Sequence, residues 1–240
     1  MVNILGFLHS QLFVSLPKPS GSYVGKTIIV TGSNVGLGKE AARHFARLGA
    51  STIILAVRST EKGNAAKEDI ERTTNCPKSV IRVWQLDMSS YQSVQDFASR
   101  VERELPRVDV ALLNAGIVKA NFEIMEKDEA TITVNVVTTF LLALLLLPKL
   151  KETAQKLNTR PNLTITASEV HSWAKFPEKN APEGGIFDKL NENNGHVDME
   201  DRYQVSKLLE VFGIRAMADR KPASQIPVTI NCVNPGLCHS

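Results

Sequence analysis

Apolar runs alternate with helical patterns along most of this 240-residue chain. Runs rich in valine, isoleucine and leucine predict strands buried on both faces, as in a parallel sheet. Six such runs lie at 27–30, 52–57, 80–87, 109–116, 162–168 and 228–236. Predicted helices separate them: one that ends at Gly49, then 60–73, 91–104, 126–157 and 200–219. This alternation predicts an α/β fold, a Rossmann-type doubly wound parallel sheet in three layers with right-handed crossovers.

The chain shows no internal repeat and no linker, so one domain over 23–240 is the simplest organisation, preceded by an apolar arm over 1–22. The arm lacks a basic first region, and His9, Ser10 and Gln11 interrupt its apolar run, which argues against a cleaved signal peptide. We expect it to pack on the body, with a membrane surface as the alternative. Pro, Gly and Asn predict an inserted loop over 174–198.

A second apolar stretch, TVNVVTTFLLALLLLP, is shorter than the roughly 20 residues that a spanning helix needs. Because it also contains Asn135 and three threonines, we predict a buried core helix. Net charge is +3 without a basic block, which gives no argument for nucleic acid. Three cysteines predict a reduced, cytoplasmic protein, and none of the five histidines forms a metal cluster in the sequence, so no metal is expected.

The stretch TGSNVGLG carries glycines at 32, 36 and 38, between a predicted strand and a predicted helix. Gly32 permits a tight turn, Gly36 a close backbone approach, and Gly38 close packing of helix on strand. The amides of this loop, which includes Ser33, Asn34 and Leu37, offer positive charge to a pyrophosphate. Glycines in such turns also serve packing alone.

Arg58 ends the second strand, and no acid lies at 55–60 to bind the hydroxyls of an adenosine ribose. An arginine there favours NADP(H), because it can pair with a 2′-phosphate; a solvated arginine at a strand end is the alternative. Lys39 could add to the same phosphate pocket. Further candidate cofactor contacts follow the third and fourth strands: Asp87, Met88, Asn114, Ala115 and Gly116.

In YQVSK, the i, i+4 spacing places Tyr203 and Lys207 on one helix face. A phenol has a reference pKa of about 10, too high for efficient acid–base catalysis at neutral pH. A nearby ammonium favours the phenolate, and we expect Lys207 to lower the pKa of Tyr203. Such a pair is common in helices, so by itself it does not establish catalysis.

TGSNVGLG, NAG, VNVV, TAS, YQVSK and NPG occur in this order on the expected elements. The set resembles the short-chain dehydrogenase/reductase superfamily from about residue 24 to the end. Arg58, ASEVH and the long gap from Ser168 to Tyr203 resemble its retinol-dehydrogenase-like branch. The opening SQLFVSLPKPSGSYVGKTIIVTG is similar to fungal members, many of which serve natural-product pathways.

The resemblance implies a role for each matching residue. Tyr203 is the general acid or base, Lys207 lowers its pKa and binds the nicotinamide ribose, and Ser168 orients the substrate oxygen. Asn135 holds a water that relays protons to Lys207; a helix-interior Asn satisfied by its neighbours is the alternative. Pro235, Gly236 and Ser240 contact the cofactor. The family continues with a lid over the substrate and a further strand, which the 240 residues do not include.

The implied function is NADP(H)-dependent interconversion of a ketone or aldehyde and an alcohol on an apolar small molecule, in secondary metabolism. The alternatives are a cyclase or isomerase that holds NADP structurally and a nucleotide-sensing regulatory protein, although the Tyr/Lys pair argues against the latter. We expect a homo-oligomer, dimer or tetramer, through the helices at 126–157 and 200–219. Leu141, Leu145, Leu208 and Val211 suit that contact, unless these helices only cover the sheet.

Overall fold

A parallel sheet forms the centre of the computed structural model. The residues that it describes are 6, 9, 12–14, 17–193, 195–220, 225–236 and 238. The strands in this part of the chain are β1 (Thr27–Thr31), β2 (Thr52–Val57), β3 (Ile81–Gln85), β4 (Val110–Leu113), β5 (Ile124–Met125), β6 (Asp128–Glu129), β7 (Asn162–Thr166) and β8 (Thr229–Val233). Six of them form the sheet in the order β3-β2-β1-β4-β7-β8, and every neighbouring pair is parallel.

Helices connect the strands of the sheet. They are α1 (Gly36–Arg47), α2 (Thr60–Thr74), α3 (Tyr91–Glu104), α4 (Ala130–Leu157), α5 (Ile186–Leu190) and α6 (Met199–Arg220). Within α4, Thr133–Val137 forms a π-helical turn between two α-helical parts. Alternate residues of β1 pack on opposite faces of the sheet: Ile28 and Val30 against α1 and α2, and Ile29 against α3, α4 and α6. The predicted Rossmann-type three-layer fold is confirmed.

Several predicted boundaries differ from the observed ones. The run at 109–116, predicted as a strand and its exit turn, leaves the sheet after Leu113, whereas the strand predicted over 228–236 ends early, at Val233. Residues that follow both strands line a cleft. The antiparallel pair β5–β6 was not predicted, since two-residue strands carry no periodicity. Residues 174–198, expected as a loop, also contain a 3₁₀ turn at Pro177–Asn180 and the short helix α5.

Helix α4 contains the long apolar stretch. Its length and composition would allow it to cross a membrane, but 67% of its most apolar window is buried inside the fold. Leu142, Leu146 and Leu150 are fully buried against α3 and the sheet. This packing agrees with the prediction of a core helix.

The described apolar side chains of the N-terminal arm are exposed to solvent. Leu12, Phe13 and Val14 are all exposed, so the predicted packing is not seen at these positions. The boundary predicted between residues 22 and 23 stays a prediction.

The outer faces of α4 and α6 are only partly covered. Phe176 and Leu190, from the inserted segment 174–198, pack on Ile132, Val136 and Val205. Farther along the helices, Leu145 and Phe212 are exposed, while Leu141, Leu208 and Val211 are half-buried. The inserted segment therefore takes part of the face assigned to an oligomer contact, and the oligomer stays a prediction.

Candidate active site

A cleft of about 820 Å³ opens at the carboxyl ends of the strands, beside the point where the strand order reverses between β1 and β4. Strand ends and the loops that follow them bring most of the predicted site residues to its wall. The predicted residues that line it are Gly32, Asn34, Gly36, Leu37, Arg58, Asp87, Met88, Asn114, Ala115, Gly116, Ser168, Tyr203, Lys207, Pro235 and Gly236. Ser33, Gly38 and Asn135 support this wall from behind, and Ser240 lies outside the described residues.

The glycine loop joins β1 to α1 in a conformation that only small residues permit. Gly32 and Gly36 have φ angles of 64° and 54°. A Cβ on Gly38 would lie 2.5 Å from the Gly32 carbonyl oxygen and 2.6 Å from Asn114 Nδ2. No side chain caps the start of α1, and its first turn has no acid. The loop therefore leaves space and backbone N–H groups for an anion.

Thr31 and Asn114 fix the two strand ends that form the centre of the cleft. The Thr31 hydroxyl accepts hydrogen bonds from the backbone N–H groups of Asn114 and Ala115, both at 2.9 Å. Asn114 Nδ2 donates to the Thr31 carbonyl at 3.2 Å. Sequence reasoning did not identify Thr31; its signal is a polar residue that ends an apolar strand directly before the first glycine.

Arg58 lies exposed at the end of β2, on the wall of the cleft. In the described part of the chain, no carboxylate lies within ion-pair distance of its guanidinium. Lys39 differs, because it pairs with Asp69 of α2 at 2.7 Å. Lys39 and Arg43 together hold the pKa of Asp69 well below its usual range. Lys39 is thus engaged between α1 and α2, whereas Arg58 lines the cleft without such a partner among the described residues.

The turn after β3 is fixed by its own polar groups. Asp87 Oδ1 accepts hydrogen bonds from the Ser89 backbone N–H at 2.9 Å and hydroxyl at 2.7 Å. Thr138 of α4 donates to the Met88 carbonyl at 2.7 Å. Gly236, at the opposite wall after β8, has a φ of 79° and donates its N–H to Asn234 Oδ1 at 3.1 Å. Both walls are therefore preorganised by local hydrogen bonds.

Ser168 follows β7 and caps the 3₁₀ turn Glu169–Trp173, where its hydroxyl accepts from Val170 N at 3.4 Å. His171 Nδ1 lies 2.7 Å from the Ser168 carbonyl oxygen, so this histidine supports the serine turn. Ser168 and Tyr203 both line the cleft, and a hydrogen bond between them opposes the rise in the pKa of Tyr203 that burial and Glu210 cause. The structure therefore brings Ser168 and Tyr203 together across the 35 positions that separate them in the chain.

Tyr203 and Lys207 lie on consecutive turns of α6, with Lys207 Nζ 5.8 Å from the centroid of the tyrosine ring. Lys207 is 5% exposed and donates to the Thr166 carbonyl at 2.9 Å and to Glu210 Oε1 at 2.8 Å. We expected Lys207 to lower the pKa of Tyr203. Instead that pKa is raised, first by burial and then by the negative charge of Glu210, with only the Ser168 hydrogen bond opposing.

Asn135 lies in the π-helical turn of α4 and is fully buried. Its Oδ1 accepts from Ile117 N at 2.8 Å, and its Nδ2 donates to Ile117 O at 2.9 Å and to Ser206 Oγ at 3.0 Å. These bonds hold the turn at Gly116 and Ile117 against α6. Because Oδ1 accepts only one of these bonds and has a second lone pair, the predicted water relay to Lys207 stays a prediction.

Among the described residues, no group of three or more His, Cys, Asp or Glu side chains could hold a metal ion. The part of the cleft beyond Tyr203 is largely apolar, with side chains that sequence reasoning did not identify: Ile117, Val118, Met125, Val134 and Val170. These side chains carry no pattern that the sequence alone would reveal, since they come from four separate segments that only the fold brings together.

Comparisons with known proteins agree with this architecture. Residues 26–157 match the family model described as short chain dehydrogenase. The chain is 60% identical to the short chain dehydrogenase/reductase dmxR8 of Cryptosporiopsis sp. (strain 8999), over 98% of this chain and 73% of that one. It is 45% identical to the short chain dehydrogenase atnD of Emericella nidulans, over 97% of this chain and 73% of that one.

Solved structures give the same result. A short chain dehydrogenase of Escherichia coli CFT073, in complex with NADPH, superposes with a TM-score of 0.66 at 27% identity. The match covers 91% of this chain and 80% of that one. A Shigella flexneri short chain dehydrogenase, in complex with NADP, gives a TM-score of 0.66 at 25% identity, covering 90% of this chain and 80% of that one.

Proposed function

This chain belongs to the short chain dehydrogenase family as a fungal-type oxidoreductase, and on that premise we propose that it interconverts a ketone or aldehyde and an alcohol using NADP(H). One observation carries the proposal. A single cleft has the glycine loop and Arg58 at one end and Ser168, Tyr203 and Lys207 at the other. An anion-binding loop and an acid–base group thus share one crevice.

The residues present fit a dinucleotide. The start of α1 has no side-chain cap and no acid in its first turn, and it borders the cleft at Gly36 and Leu37, which suits a pyrophosphate. Asp87, Asn114 and Gly116 would border the remainder of the cofactor, and Lys207 would bind the nicotinamide ribose. When bound, the nicotinamide supplies or accepts the hydride, so the chemistry needs no metal.

The protein groups handle the proton and the orientation of the substrate. Tyr203 gives a proton to the substrate oxygen in reduction and takes one in oxidation. Ser168 donates a hydrogen bond to the same oxygen, and its place beside Tyr203 fixes the approach. The apolar wall formed by Ile117, Val118 and Val170 favours an apolar substrate by excluding water.

Natural-product biosynthesis is the proposed context, since the fungal relatives support a role in secondary metabolism. The experiment is a panel of apolar ketones and aldehydes with NADPH, in which cofactor oxidation and alcohol product are both quantified. One NADPH oxidised for each alcohol formed supports the proposal. Product formed without net NADPH oxidation would contradict it and indicate a cyclase or isomerase.

Arg58 carries the choice of NADP over NAD in this proposal. Because Arg58→Asp removes the cation facing a 2′-phosphate and adds an anion, we expect NADPH to bind at least about tenfold more weakly. NADH affinity should rise or stay unchanged. Arg82→Asp, which makes the same charge change at an exposed position of β3, should leave both affinities at wild-type values. Fluorescence titration measures all four, and unchanged NADPH affinity in Arg58→Asp would refute the assignment.

A further inference from the structure

Glu210 is a buried acid that the reaction described above does not use. It lies one turn after Lys207 on the inner face of α6 and is 2% exposed. Its Oε1 accepts from Lys207 Nζ at 2.8 Å. In the described part of the chain, its Oε2 is buried without a hydrogen-bond partner. A carboxyl group in this position needs an explanation, because an unpartnered buried oxygen is costly.

The surroundings of Glu210 belong to the site itself. The ionisable groups that interact with it among the described residues are Lys207 and Tyr203 on α6 and Cys232 on β8. Lys207 Nζ also binds the Thr166 carbonyl of β7. A Cβ on Gly116 would lie 3.7 Å from the same Nζ. The carboxyl group is therefore directly behind the lysine that faces the cleft.

A carboxylate in contact with Lys207 changes what that lysine does to Tyr203. A lone ammonium stabilises a nearby phenolate, whereas a neutral ion pair does so far less. In the structure, burial raises the pKa of Glu210 to about 7, against the opposing effect of Lys207. The charge of Glu210 also raises the pKa of Tyr203. The charge of this carboxyl group is thus coupled to the acidity of the phenol.

We propose that Glu210 is a positioning residue that holds the Lys207 ammonium in the site and, through its own charge, sets the pH at which Tyr203 gains or loses its proton. The inference rests on the proposed function, which assigns Tyr203 and Lys207 their roles. When Glu210 is ionised, it compensates Lys207 and the phenol holds its proton more tightly. When Glu210 is neutral, the full charge of Lys207 acts on the phenol.

Glu210→Gln tests this coupling, because glutamine can still accept from Lys207 but has no charge. The readout is the phenolate absorbance of Tyr203, taken as the difference between each protein and the same protein carrying Tyr203→Phe. We expect its midpoint to move to lower pH by about one unit, that is, about tenfold more phenolate at a fixed pH on the acid side. Glu200→Gln, at an exposed position of the same helix, should leave the midpoint unchanged.

Two further variants complete the test. Glu210→Met fills a similar volume without a charge, and we expect it to shift the midpoint in the same direction. It provides the test if the Glu210→Gln variant does not fold. Glu210→Asp retains the charge and should restore the midpoint most of the way to the wild-type value. A midpoint that stays at the wild-type value in either uncharged variant overturns the inference.

The absorbance measurement needs neither cofactor nor substrate, so its result does not depend on whether the proposed function is correct. The pH profile of kcat/KM with NADPH should shift in the same direction as the absorbance. Absence of NADPH-dependent turnover in the wild type would overturn the proposed function, whatever the absorbance shows. If the wild type turns over but the uncharged Glu210 variants show no shift of the phenolate midpoint, only the role of Glu210 is overturned.

Discussion

Tyr203→Phe will lower kcat by about a thousandfold or more while NADPH affinity stays within about twofold of the wild type. The substitution removes only the hydroxyl that exchanges a proton with the substrate oxygen. The ring, which packs beside Lys207, remains. Turnover of the best carbonyl compound measures the first effect, and fluorescence titration with NADPH measures the second.

Tyr91→Phe is the matched control. It removes a phenol hydroxyl that lies 3.3 Å from Asp128 Oδ2 and does not line the cleft. Its kcat should equal that of the wild type. If Tyr203→Phe retained a tenth or more of wild-type turnover, Tyr203 would not be the acid–base group.

Gly38→Ala will weaken NADPH binding by at least about tenfold and lower the melting temperature by about 5 °C. A Cβ there would lie 2.5 Å from the Gly32 carbonyl oxygen and 2.6 Å from Asn114 Nδ2. Because one of these atoms is backbone and the other is held by Thr31, neither can move without opening the loop. Calorimetry or thermal unfolding measures the stability, and fluorescence titration the affinity.

Gly21→Ala is the control for this loop, since a Cβ on Gly21 would meet only the Tyr23 ring at 3.9 Å. It should bind NADPH and melt as the wild type does. Wild-type affinity and melting temperature in Gly38→Ala would show that the β1–α1 turn has room to spare, and would remove the main structural argument for a pyrophosphate there.

The six apolar runs predicted the sheet because a strand that is buried on both faces consists almost entirely of apolar residues. The end of the last run was less well predicted, since Pro235 and Gly236 leave the ladder and line the cleft. The apolarity of the runs does not mark where hydrogen bonding between strands stops.

The candidate site was also only partly predicted from the sequence. Tyr203 and Lys207 could be paired from the sequence because four positions on a helix fix their relative placement. Glu210, three positions farther, was not identified, because a helix pattern alone does not say that this acid is buried. Its burial depends on β7 and β8, which are distant in the chain. For the same reason the sequence predicted a lowered pKa for Tyr203, and the structure shows a raised one.

Lys39 and Asn135 show that the sequence does not reveal the binding partners of polar side chains either. Lys39 pairs with Asp69 of α2, and Asn135 binds Ile117 and Ser206. Each partner belongs to another element, so the local sequence could suggest a role for the side chain but not what it binds. The family resemblance predicted which residues form the site, and the structure shows which groups their polar atoms bind.

Transfer of deuterium from NADPH labelled at nicotinamide C4 tests the central claim most directly. The wild type is given an apolar ketone from the panel and NADPH deuterated on one face or the other, and the alcohol is analysed by mass spectrometry. We expect one of the two labelled cofactors to deliver one deuterium to the carbinol carbon for each NADPH oxidised. An alcohol that carries no deuterium from either cofactor would contradict hydride transfer in this cleft.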